Sequence, residues 1–147
     1  MGVHTLKAKV KRVSGLEVEG ESRGFKVIMD EPIDEGGTDK GMNPMEMILC
    51  GLGGCQTIVA SAFAESQGID LQDFWVEIEG DLDVEGFMGL SDVRPGYQEI
   101  RYTMHIKSSS PEDKVREFAK FIDSRCPVGD SLKNTVNFVE TDVIISK

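Results

Sequence analysis

Apolar and charged residues alternate almost from the start of the chain, with Leu6, Ala8 and Val10 on one side and Lys7, Lys9 and Lys11 on the other. A period of two marks a strand with one buried face, so a half-buried strand is predicted over 5–13. Shorter runs at 16–20 and 24–32, with turn glycines at Gly15, Gly20 and Gly24, predict its partners. After a loop at 33–44 the period lengthens. Pro44 suits the first turn of a helix with Asn43 as its N-cap, and the helix is predicted to run to about Gln67, where Gly68 fits the C-cap. Alternation returns over 73–82 (Phe74, Val76, Ile78) and 98–107 (Ile100, Tyr102, Met104, Ile106), joined by a loop over 83–97. Ser110 and Pro111 predict the cap and first position of a second helix, with Glu112 and Asp113 near its positive end. Val115, Phe118, Ala119 and Ile122 form its buried stripe. A stop near Arg125, a short helix from Pro127 and a last strand over 135–147 complete the order.

Runs of strands broken by single helices define an α+β fold with antiparallel sheet. The 147 residues suit one domain, 1–147, large enough to need no disulfide or metal for stability. Composition adds exclusions. A net charge of −10 argues against nucleic acid, which requires a clustered basic patch, and against an anionic membrane surface. No secretory signal is read at the N-terminus, and the match of Gly2 to a myristoylation pattern is loose. Residues 47–64 are 18 uncharged positions, but Gly51, Gly53, Gly54, Gln56, Thr57 and Ser61 make a core helix the better reading than a membrane span. The expected setting is a reducing, cytoplasmic compartment, where cysteine pairs tend to be redox-active or metal-binding.

Three cysteines carry the candidate chemistry. Cys55 shares a helical face with Ile48, Leu52, Val59, Ala62 and Phe63, so a small buried hydrophobe is one reading and a nucleophile in a greasy cleft is another. Cys50 lies about 140° round the same helix and cannot bridge to it, which favours a structural role. Cys126 precedes Pro127 near a helix N-terminus, where free N–H groups, the dipole and the neighbouring Arg125 are expected to lower its pKa. Gly51, Gly53 and Gly54 imply close packing against the long helix. With His4 and His105 the only histidines and no paired-ligand spacing, no metal or other cofactor is expected.

The block "NPMEMILCGLGGCQTIVASAFAESQGIDL", two strands and then "CPVGDSL" resemble the OsmC/Ohr family of osmotically induced and organic hydroperoxide resistance proteins, over nearly the whole chain. The resemblance implies antiparallel sheets packed around a long central helix and a second helix, in an intertwined homodimer. It also implies a thiol-dependent peroxidase acting on organic or lipid hydroperoxides, with Cys55 as attacking thiolate, Cys126 as resolving thiol and an external dithiol as reductant. In the better-characterised members a glutamate follows the proline, whereas here Met45 does and the acid moves to Glu46, about half a turn away from Cys55. The family arginine has no direct counterpart among Arg12, Arg23, Arg101 and Arg125. Two alternatives share the fold: a binding module for hydrophobic ligands or stress responses, and a redox sensor.

Overall fold

The computed structural model describes residues 2–147, which form two compact units, one up to Cys50 and one from Gly51 onward. In the first, β1 (Lys9–Ser14), β2 (Glu17–Ser22) and β3 (Phe25–Met29) make an antiparallel sheet in the order β1-β2-β3. Val10 pairs with Gly20, and Gly20 with Val27. The alternation produces the strand, but not the burial expected of it: Val10 and Val13 are 59% and 53% exposed. A period of two specifies a face and leaves its cover to be supplied by another element.

A single buried carboxylate organises the loop after β3. Asp30, only 2% exposed, accepts hydrogen bonds from the amides of Glu31, Thr38 and Lys40 and from the Thr38 hydroxyl. The Thr38 hydroxyl is the largest influence holding its pKa down, from 3.8 to about 2. A depressed folded-state pKa stabilises the loop above the unfolded value and ceases to do so as pH falls through the folded one. The Thr38 and Lys40 amide resonances should therefore move together between about pH 4 and pH 2. Asp30→Ala should produce the same displacement at neutral pH.

Helix α1 (Pro44–Phe63) opens with a capping box: Glu46 N–H donates to Asn43 Oδ1 (2.8 Å) and Asn43 N–H to Glu46 Oε1 (2.9 Å). The helix ends four residues before the predicted Gln67. A turn follows, and Gly68 at φ +70 still supplies the left-handed closing residue, with Ile69 N–H on Ala64 O at 2.8 Å. Among the described residues α1 is the one helix long and apolar enough to cross a membrane by length and composition. Its Leu52, Val59 and Ala60 are instead buried in protein.

From Gly51 onward, β4 (Leu71–Asp81) and β5 (Glu99–Ser108) pair antiparallel, with Trp75 opposite His105 and Ile78 opposite Tyr102. Phe74, Val76 and Ile78 face inward as the alternation requires. Between the strands, the predicted loop contains a short helix, α2 (Val84–Met88), whose N-cap Asp83 accepts from Glu85 N–H. Gly80 makes room for the Tyr97 ring, which a Cβ there would approach to 2.5 Å. Helix α3 (Glu112–Arg125) and α4 (Pro127–Lys133) follow. Pro111, not Ser110, occupies the α3 cap; the Ser110 hydroxyl takes the Asp70 amide instead. The core joins Val59 and Ala60 of α1, Ile69, Phe74 of β4, and Phe118 and Ile122 of α3.

The predicted last strand is not formed. Residues 135–147 carry no regular structure, and Phe138, Ile144 and Ile145 are 93%, 85% and 77% exposed. A β-prone composition is not enough for a strand, because the backbone groups also need a neighbouring strand to bond to.

Candidate active site

The buried stripe of α1 is Leu52, Gln56, Val59 and Ala60. It is rotated from the face predicted around Cys55, because a glutamine occupies one of its central positions. Cys55 lies at the edge of this stripe, half-buried and packed against the core. Gly53 meets β4 closely, since a Cβ there would lie 3.0 Å from Ile78 Cδ1. Gly51 and Gly54 face open space, so the close packing expected of all three is a property of Gly53 alone.

Cys126 is the C-cap of α3 and the N-cap of α4, 2% exposed, with Pro127 at the first position of α4 as expected. Its Sγ accepts the Gly129 N–H at 3.3 Å, and Leu52 of α1 reaches the same turn. The thiol pKa is nevertheless raised, correcting the expected lowering. Burial is the largest cause, opposed by the Gly129 N–H and reinforced by the neighbouring Cys55 thiol. Desolvation of the charged form outweighs the short helix's N–H groups. The fold thus brings two cysteines 71 positions apart in the chain near enough for one thiol to bear on the other.

A raised pKa has a directional consequence for labelling. Iodoacetamide should modify Cys126 slowly at neutral pH, with a rate that climbs only above the ordinary thiol value of 9.0, as read by peptide mass spectrometry. The sign for stability is the same: the protonated thiol favours the folded state below its unfolded pKa, and this is lost as pH rises through the folded one.

A second polar pair lies beside Cys126 and was not anticipated. Tyr102 of β5 donates its hydroxyl to Asp123 of α3 at 2.6 Å. Burial, then the Asp123 hydrogen bond, pushes the Tyr102 pKa up to about 12, and Cys126 adds to the rise. Tyr102 belongs to the inward set of its strand and Asp123 precedes Cys126 by three, one turn of α3, which was the available signal.

The remaining candidates are engaged elsewhere. Arg101 pairs with Glu79, Asp81 and Glu99, while the Arg125 guanidinium sits 5.0 Å over the Phe121 ring. Arg12 lies opposite Val18 in the first sheet, and Arg23, at φ +53 in the β2–β3 turn, stacks over Phe25 at 5.2 Å. Glu46 is bound into the helix cap. Cys50 is exposed, 3.6 Å from Met42 Sδ, and not part of a core. His105 stacks on Trp75 with ring centroids 4.6 Å apart.

Antiparallel sheets, a long helix and a half-buried cysteine near a buried one define an α+β protein. Residues 37–141 match the OsmC-like protein family, and the chain belongs to it. It is 30% identical over 121 residues to a hydroperoxide reductase of Mycoplasma genitalium, covering 82% of each chain. An OsmC-like protein from Mycoplasma pneumoniae has a similar fold, with TM-score 0.78 and 22% identity over 90% of this chain and 89% of that one. An organic hydroperoxide resistance protein from Legionella pneumophila does so with TM-score 0.66 and 18% identity, covering 93% and 95%.

Proposed function

We propose that this protein is a thiol peroxidase that reduces organic or lipid hydroperoxides through a reversible Cys55–Cys126 disulfide. The observation that carries this reading is the convergence of the two cysteines: Leu52 of α1, one turn before the half-buried Cys55, packs on the turn at Gly129 that holds the buried Cys126 Sγ. The name of the Mycoplasma genitalium relative supports the peroxide chemistry.

In the first step the Cys55 thiolate attacks the terminal oxygen of ROOH. An S–O bond forms, the O–O bond breaks, and alkoxide leaves to take a proton from water. Sulfur is oxidised to the sulfenic acid and the peroxide is reduced to ROH. The neighbouring Cys126 thiol then attacks the Cys55 sulfur, forming the disulfide and releasing water. An external dithiol restores both thiols by exchange and leaves as its own disulfide. A buried, protonated Cys126 suits the second role, since it ionises less readily than an exposed thiol before the sulfenic acid exists.

The reading treats 1–147 as one domain in a reducing, cytoplasmic compartment, assembled as an intertwined homodimer. Exposed surface supports the dimer. Val10, Val13 and the apolar residues of 135–147 contribute to that surface. Size-exclusion chromatography giving a monomer would remove the dimer from the proposal.

Stopped-flow oxidation of the reduced protein by cumene hydroperoxide, with thiol titration, tests the chemistry. Rapid loss of the Cys55 and Cys126 thiols at micromolar peroxide is expected. Loss only at millimolar peroxide over minutes would favour a binding module instead, the reading to which the engaged Arg101 and Arg125 and the Met45 substitution lend weight. Rapid oxidation without turnover by dithiol would point to a sensor.

A further inference from the structure

Two buried side-chain nitrogen or oxygen atoms among the described residues lack a hydrogen-bond partner, His105 Nε2 and Gln56 Oε1. The first has a Glu77 carboxylate oxygen 2.7 Å away, off the hydrogen-bonding direction. Gln56 is the more isolated case. Its side chain is 1% exposed on a stripe otherwise made of Leu52, Val59 and Ala60. Native proteins rarely keep a buried acceptor unpaired, so a glutamine where leucine would fit calls for a cause.

Its place in the site supplies one. Gln56 follows Cys55 in the chain and stands one helical turn beyond Leu52. Leu52 Cδ1 reaches the turn at Gly129, within van der Waals contact of where a Cβ would lie, and Cys126 Sγ is at the same point. The stripe bearing the unpaired carbonyl is therefore the stripe that meets the Cys126 turn. A thiol pair offers this carbonyl no O–H. A hydroperoxide does, and so does the sulfenic acid formed from it.

We propose that Gln56 Oε1 is the acceptor for the terminal O–H of the hydroperoxide and, after oxygen transfer, for the O–H of the Cys55 sulfenic acid. The terminal oxygen keeps its proton as the S–O bond forms and the O–O bond breaks, so one hydrogen bond follows it from peroxide to sulfenic acid. An acceptor unpaired in the reduced protein and paired as oxygen transfers stabilises the transition state more than the resting state. It also selects for peroxides with a free O–H. The inference rests on the peroxidase reading of Cys55.

Gln56→Leu separates this role from a structural one. The variant should oxidise with cumene hydroperoxide about tenfold more slowly than the parent, the worth of one hydrogen bond. Its rate of Cys55 alkylation by iodoacetamide, which needs no acceptor, should be unchanged, and its thermal midpoint should be no lower. Gln56→Met serves the same comparison if the leucine variant fails to fold. Undiminished peroxide oxidation, or equal slowing towards both reagents, overturns the assignment of Gln56 while leaving the peroxidase intact. Slow oxidation of the parent protein itself by every hydroperoxide would instead remove the peroxidase reading, and this assignment with it.

Discussion

Cys55→Ser should abolish hydroperoxide consumption, lowering turnover by roughly 10⁴-fold or more, because the oxygen-accepting sulfur itself is gone. Cys126→Ser should behave differently. Its Cys55 still meets peroxide, so the first oxidation should proceed near the parent rate, but no partner thiol remains to condense with the sulfenic acid. Dimedone should then label Cys55, and prolonged exposure should carry it to the sulfinic acid, which dithiols do not reverse. Cys50→Ser should leave both steps unchanged, as an exposed thiol on α1 beside Met42. Stopped-flow kinetics with intact-mass analysis distinguishes the three variants in one experiment. Rapid peroxide turnover by Cys55→Ser would defeat the proposed mechanism.

The second large effect is on stability. Phe118→Ala should cost about 3–5 kcal/mol and Ile122→Ala about 2–5 kcal/mol, measured by denaturant unfolding of the reduced protein. Both side chains are buried, at 2% and 0% exposure, and both belong to the cluster that joins α1 and α3 to the sheet. Phe118 also stacks against Phe121 at 6.3 Å, and Phe121 meets Phe63 of α1 edge-on at 5.3 Å. A truncation at Phe118 thus opens a cavity where aromatic contacts tie the two helices together. Cys126 caps the same helix α3 and lies near Cys55 of α1, so slack between the helices would separate the sulfurs. The Phe118→Ala protein should accordingly form its disulfide more slowly than the parent at temperatures where it remains folded. Stability within about 1 kcal/mol of the parent would mean that this cluster does not hold the two helices.

Particular elements mark how far local pattern reached. The antiparallel strands and both main helices follow from periods of two and of 3.6, and Asn43 caps α1 as its position implied. Glu46, displaced by one from the family position, has a local explanation: it closes the capping box. Ends and faces were less legible. Scoring α1 by apolar residues turned its buried stripe towards Cys55 and passed over Gln56, the polar residue that the fold buries. Tyr102 was counted as an inward strand residue, yet its hydroxyl bond to Asp123 joins elements 21 positions apart. Residues 135–147 are expected to form a last strand, yet no strand of the described residues pairs with them.

What the sequence alone determined is therefore the order of the five strands and the two main helices, the Asn43 cap and the two conspicuous cysteines, because periodicity, proline and turn chemistry act over a few neighbouring residues. Tertiary structure alone decided that the two cysteines lie near each other, that burial raises the Cys126 pKa against the pull of its cap, and that Gln56 lacks a partner. Each depends on desolvation by groups remote in the chain, which local spacing does not encode.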